Sequence, residues 1–216
     1  DVAPETLARA EGVTGELTLR RRVAADPGVD AVYELIVNGV FLMDTAETST
    51  ERLLADAVLD RLAVPRRILV GGLGLGVTLA ELLTDVRVDR VDVVEIEPLL
   101  VRWLRSGLVP PVDAALADPR VHLTVTDICE VLRDVVIGTY DGVLLDVDNG
   151  PDFLVRAANA AVYRTASMRD VTEYAALFER PLFGHFWARW DNDYLEGDYL
   201  EPVVRSIRVL FQQGSA

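Results

Sequence analysis

The sequence contains no lysine: all 21 of its basic residues are arginine. That excludes Schiff-base chemistry and a lysine-bearing phosphate loop in one step. It has one cysteine, Cys129, and therefore no intrachain disulfide, which fits a reducing cytoplasm. Inside an apolar run that thiol reads as packing. The two histidines, His122 and His185, have no partner pattern. They supply neither metal-ligand spacing nor a triad, so no metal site is expected. No apolar run approaches the roughly 18 residues of a membrane span. No signal-peptide pattern opens the sequence, and a cytoplasmic protein is the expectation. Positive charge is in deficit, with a formal net charge of −14. This disfavours non-specific binding to nucleic acid, and either solubility or a cationic substrate accounts for it.

What is present is enough apolar material for one domain with a substantial core: 216 residues, 50% of them hydrophobic. Residues 15–22, "GELTLRRR", read as a strand. In "DAVYELIVNGVFLMDT" the pair Asn38-Gly39 separates two β-rich runs, which predicts a tight hairpin in a small antiparallel sheet. In "ETSTERLLADAVLDRLAVP", Leu53, Leu54, Ala57, Val58 and Leu62 share a helical face, with Ser49 or Thr50 as the expected cap and Pro65 beyond the end.

From Arg66 the pattern alternates. "RRILVGG", "RVDVVEIEP", "RVHLTVTD" and "YDGVLLDVDNGP" read as strands. "VTLAELLTD", "LLVRWLRSG" and "ICEVLRDVV" read as helices between them, and "PVDAALADP" as a loop or short helix. Strand and helix in alternation predict an α/β, Rossmann-like fold: a mostly parallel, doubly wound sheet covered on both faces. A helix near 168–180, a strand "FGHFWARW" and a last strand "RSIRVLFQ" complete the reading. The expected organisation is an N-terminal β-hairpin region, 1–48, and a nucleoside-binding catalytic domain, 49–216. The edges of the hairpin region offer a route to a homodimer.

Ligands of such sheets lie outside the carboxyl ends of the strands. The first strand ends in Gly72-Leu73-Gly74-Leu75-Gly76, where glycines let the backbone turn sharply and approach a ligand. The second ends in Glu95-Ile96-Glu97, beginning about 20 residues later, the spacing at which an acid reaches a ribose diol. The third ends in Thr126-Asp127-Ile128 and the fourth in Asp146-Val147-Asp148. Each item alone has a structural explanation: a turn, a cap or an arginine partner. Acids at three successive strand ends beside one glycine loop point to a shared adenosine-type ligand. The glycines are too densely spaced for a dinucleotide fingerprint. S-adenosylmethionine or a derivative fits better.

The run from Glu34 to Tyr163 resembles the spermidine synthase (polyamine aminopropyltransferase) family, and within it the short, divergent bacterial members. "ILVGGLGLGVTLAELL" is similar to its glycine motif, "VVEIEP" to its ribose-binding acid, "LTVTDICEVL" to its adenine segment and "YDGVLLDVDNGP" to its catalytic strand. The resemblance implies a class I methyltransferase-like fold. The cofactor would be S-adenosylmethionine or its decarboxylated form, and 5′-methylthioadenosine a product. A small cationic amine would be the acceptor. Gly72, Leu73, Gly74, Gly76, Glu95 and Ile96 would bind the nucleoside, with Glu95 on the ribose hydroxyls, while Asp127 and Ile128 would hold the adenine. Asp146 would take a proton from the attacking amine and Asp148 would position a cationic substrate.

The sequence also departs from the family. Leu75 is read at the place of an aspartate that holds the cofactor's amino group. Asp148 arrives one residue early and two serines are absent from the catalytic loop. The family's glutamine and tyrosine of the gate region appear as apolar and threonine residues near Phe41 to Thr50. Three readings therefore stand: aminopropyl transfer, methyl transfer to a small molecule, and a non-catalytic nucleoside-binding descendant.

Overall fold

The computed structural model describes residues 3–23, 31–136, 138–147 and 209–211. The expected helix near 168–180, the strand "FGHFWARW" and Asp148 lie outside the described residues.

The chain opens with a four-stranded antiparallel sheet in sequence order, β1 (Glu5–Gly12), β2 (Gly15–Arg22), β3 (Val32–Val37) and β4 (Val40–Asp44). The Asn38-Gly39 turn is as expected, with φ of 52° and 76°. Asn38 also reaches sideways: its Oδ1 accepts from the Glu16 N–H at 2.9 Å and its Nδ2 donates to the Thr14 carbonyl at 3.2 Å. One turn thus anchors the next. β1 was not legible in the sequence, because none of its residues is fully buried and no apolar alternation marks it.

Helix α1 (Ser49–Leu59) follows and buries Leu54, Ala55, Ala57 and Val58. The expected caps are corrected here. Thr48 is the N-cap and makes no side-chain capping bond, while the Thr50 hydroxyl donates to the Glu51 carboxylate at 2.6 Å. The helix already begins at Ser49, so Ser49 and Thr50 lie inside its first turn rather than at the capping position.

The second sheet contains β5 (Arg67–Gly71), β6 (Arg90–Glu95), β7 (Val121–Val125), β8 (Gly142–Leu145) and β9 (Val209–Phe211), in the order β7-β6-β5-β8-β9. The first four strands run parallel, and β9 pairs antiparallel with β8. Between them lie α2 (Val77–Thr84), α3 (Pro98–Arg105), α4 (Pro110–Leu116) and α5 (Ile128–Asp134). The "PVDAALADP" stretch is therefore a short helix.

Alternation along β5 shows the doubly wound arrangement. Ile68 and Val70 enter the main core with α1 and α2, while Leu69 packs on the other face with Val94 and Ile128. The chain lays β6 and β7 on one side of β5 and then returns to place β8 on the other. The crevice between the ends of β5 and β8 is the switch point at which such sheets bind ligands.

The main core does not stop at the N-terminal sheet: Leu17, Leu19, Leu35 and Val37 belong to the same cluster as Val58 and Leu79. A polar clasp reinforces this junction. Glu97, only 2% exposed, caps α3 by accepting from the Leu99 N–H at 3.0 Å. Its other oxygen accepts from both the N–H and the hydroxyl of Thr14 in the β1–β2 turn, each at 3.0 Å. Glu97→Ala would strand these three donors. It should cost about 2–4 kcal/mol, read as a lower urea midpoint with an unchanged slope. A loss below about 0.5 kcal/mol would show that the clasp does not hold the sheet.

Candidate functional site

The glycine loop after β5 is shaped by close approach. Gly72 has φ of 98°, and a Cβ there would lie 1.9 Å from the Asp146 carbonyl oxygen at the end of β8. The Asp146 N–H donates to the Gly71 carbonyl at 2.7 Å. No side chain fits between these strand ends, so the loop and the acid are positioned together. Gly74 and Gly76 also have positive φ, of 51° and 72°. Gly76 caps α2, and a Cβ on it would strike Val112 of α4.

Glu95, at the end of β6, holds this loop from the other side. Its Oε2 accepts from the Leu73 N–H and its Oε1 from the Glu97 N–H, each at 2.8 Å. Burial pushes the Glu95 carboxyl up, opposed by these backbone donors. Asp127 caps α5, accepting from the Cys129 N–H at 2.8 Å.

These strand ends surround a single cleft. Gly72, Gly74, Glu95, Ile96, Asp127, Ile128 and Asp146 all line it. Leu73 and Gly76 do not: Leu73 is in the core and gives the site its backbone N–H, while Gly76 serves the turn. Leu75 requires a correction. Its side chain is 1% exposed and packs in the core, so an acid at 75 would point away from the cleft. The cleft-facing loop position is Gly74, where a Cβ would meet the Met43 sulfur at 2.7 Å.

Sequence reasoning missed four lining or supporting residues. Thr14 and Met43 come from the N-terminal sheet and Glu51 from the first turn of α1. Distance along the chain hid them. Thr78, 3% exposed, donates its hydroxyl to Asp146 Oδ2 at 2.9 Å. Its signal was present, as a polar residue in the otherwise apolar start of α2.

Five carboxylates line the cleft (Glu51, Glu95, Glu97, Asp127 and Asp146) and no basic residue does so among the described residues. The buried acids elsewhere are treated differently. Glu34, Asp44 and Asp92 each hold arginine, through Arg20, Arg22, Arg67 and Arg90. Asp146 carries the consequence: burial, then the Glu51 charge, push its carboxyl up to about 7, against the Thr78 hydrogen bond and with a smaller push from Glu95.

Residues 47–178 match the family model for the spermine/spermidine synthase domain. The chain belongs to that family. A spermidine synthase of Coffea arabica is 31% identical over 82% of this chain and 53% of its own length. Spermidine synthase 2 of Arabidopsis thaliana is 25% identical over 82% of this chain and 49% of its own. The chain thus spans about half the length of these relatives. Among solved structures, spermidine synthase from Thermotoga maritima matches with a TM-score of 0.62 at 14% identity, over 97% of this chain and 73% of its own. A spermidine synthase in complex with the transition state analogue AdoDATO matches with a TM-score of 0.64 at 17% identity, over 79% and 54%. These likenesses bear out the Rossmann-like, methyltransferase-type fold expected from this spermidine synthase family sequence.

The raised Asp146 group has a thermodynamic signature. The folded state holds this proton more tightly than the unfolded chain, so stability falls as pH rises from about 4 to about 7 and then levels off. Asp146→Asn removes this half-buried charge. The variant should be more stable than the parent at pH 8 by roughly 2 kcal/mol, with the gap closing toward pH 4. Urea unfolding across this range checks it, and a gap independent of pH would contradict the shift.

Proposed function

We propose that this chain carries the active site of an aminopropyltransferase that uses decarboxylated S-adenosylmethionine and a small primary amine. The observation that carries this reading is the acid-lined cleft at the switch point, with Asp146 at its floor and no arginine among its described walls. A sulfonium nucleoside and an amine are both cationic, and the described walls of this cleft present only negative charge to them. Membership in the spermidine synthase family supports the same assignment, as does the neighbour complexed with a transition state analogue.

In this reading residues 49–216 form the catalytic domain and 1–48 wall its cleft. Glu95 accepts from the ribose hydroxyls with lone pairs left over from its two backbone donors. The backbone around Gly72, Leu73, Gly74 and Gly76 gives the nucleoside a close approach, beside Ile96. Asp127 and Ile128 flank the adenine. The amine nitrogen attacks the propyl carbon attached to sulfur. The carbon–sulfur bond breaks, its electron pair stays on sulfur, and neutral 5′-methylthioadenosine leaves.

The attacking nitrogen sheds a proton, which Asp146 accepts. A carboxyl raised to about 7 is a stronger base than an ordinary one, and near neutrality about half of it is ready to act. Thr78 fixes its orientation. By the family resemblance, Asp148 positions the cationic acceptor. Sulfonium is a good leaving group, so alignment supplies most of the remaining acceleration.

The test is release of 5′-methylthioadenosine from decarboxylated S-adenosylmethionine with a panel of primary diamines. Asp146→Asn should lower turnover at least about 100-fold while affinity for the uncharged nucleoside 5′-methylthioadenosine changes less than about threefold. In the parent, kcat/KM, which reports the free cleft, should rise with pH through a midpoint near 7. Transfer of a methyl group from S-adenosylmethionine instead would replace this reading with methyl transfer. Unchanged turnover in Asp146→Asn would remove the base assignment.

A further inference from the structure

Each of the cleft's carboxylates has a discernible occupation except one. Glu95 is held by two backbone N–H groups and Glu97 by Thr14 and Leu99. Asp127 caps α5 and Asp146 accepts from Thr78. Among the described residues Glu51 has only local partners, the Thr50 hydroxyl and its own backbone N–H. It is half-buried in the first turn of α1 and faces the same cleft as Asp146. The charged groups that act on it, Glu47, Asp44 and Asp146, are all acids. Burial pushes its carboxyl up, as does the charge of Glu47 and Asp44. No arginine pairs with it among the described residues, although arginine pairs with Glu34, Asp44 and Asp92.

The glycine loop explains why this position matters. Its cleft-facing residue is Gly74, and Met43 stands where a side chain from that residue would go. The loop therefore contributes no charge at this end of the cleft. The wall there is apolar, from Leu42 and Met43, and its carboxylate comes from α1. A short methylene chain ending in an ammonium fits such a wall, with the methylenes on Leu42 and Met43 and the charge on Glu51. A chain that ends in both an ammonium and a carboxylate does not. Its negative charge would enter a space already holding Glu51 and Asp146, with no cation among the described residues to receive it.

We propose that Glu51 is the selectivity residue of the cleft: together with Asp146 it holds the ammonium of the nucleoside's side chain and rejects nucleosides whose side chain carries a carboxylate. This rests on the nucleoside reading above. The neutral nucleoside 5′-methylthioadenosine separates the two, because it needs the ribose and adenine contacts but not Glu51.

The experiment is calorimetric titration of the full chain and of Glu51→Gln with three probes: 5′-methylthioadenosine, decarboxylated S-adenosylmethionine and S-adenosylmethionine. The parent should bind the decarboxylated form at least tenfold more tightly than S-adenosylmethionine. Glu51→Gln should weaken the decarboxylated form about tenfold and narrow that preference, leaving 5′-methylthioadenosine within about twofold. Glu51→Asp, which keeps the charge, should retain most of the preference. An unchanged preference in Glu51→Gln with 5′-methylthioadenosine binding intact would overturn the assignment. Should that variant not fold, the parent decides: decarboxylated S-adenosylmethionine binding no more tightly than 5′-methylthioadenosine overturns the ammonium subsite. Failure of the parent to bind 5′-methylthioadenosine at all would instead overturn the nucleoside reading beneath it.

Discussion

The contact between Gly72 and the backbone of Asp146 is the constraint from which the rest of the site follows. A Cβ on Gly72 would lie 1.9 Å from the Asp146 carbonyl oxygen, well inside any permitted contact. Absence of a side chain at one strand end thus sets the position of the acid at another. The Asp146 N–H to Gly71 carbonyl bond fixes the distance from the second side. Glu95 then ties the loop to β6 through Leu73. Three strand ends are joined by backbone contacts, so the acids they carry converge without long flexible side chains having to find one another. That is preorganisation in the sense that matters for electrostatics: the charges are in place before a ligand arrives.

The N-terminal sheet completes the same unit. Thr14 and Met43 reach the cleft from it, and Leu17, Leu35 and Val37 line the wall. Glu97 shows how closely the two sheets depend on each other. One buried carboxylate caps α3, holds the β1–β2 turn and stands beside the acid that grips the glycine loop. A surface ion pair would give little in this place. Hydrogen bonds from neutral donors to a buried charge are stronger and geometrically strict.

How far the sequence disclosed this depends on the range of the interactions. The four parallel strands, the Asn38-Gly39 turn and the acids at the strand ends were legible because each rests on local periodicity or local backbone chemistry. The cap of α1 is Thr48 rather than Ser49 or Thr50, because the run Thr48-Ser49-Thr50 offers three similar residues and the sequence does not show where the first turn begins. Leu75 was read as a cleft position because counting along a glycine loop does not show which way each residue faces. Positive φ at Gly72, Gly74 and Gly76 turns alternate residues outward, and Leu75 falls into the core. Glu51, Thr14 and Met43 were missed for a further reason. They come from elements remote from the strand ends, and only the packing of one sheet against the other brings them to the cleft.

Charge connects these observations to function. A buried carboxylate without a counter-charge lowers its cost by taking up a proton, and Asp146, with its carboxyl raised to about 7, does so. A bound cation offers the same compensation. Proton and cation are thus alternative occupants of one charge deficit, and near neutrality they compete. In the proposed reading, a cationic ligand beside Asp146 and Glu51 favours their ionised forms, and so would prepare Asp146 as a base when a substrate is present. In that reading, the acids whose charge is costly without a partner are the ones that would make the cleft reactive. Arginine, abundant elsewhere on this lysine-free chain, would have removed the cost and the reactivity together.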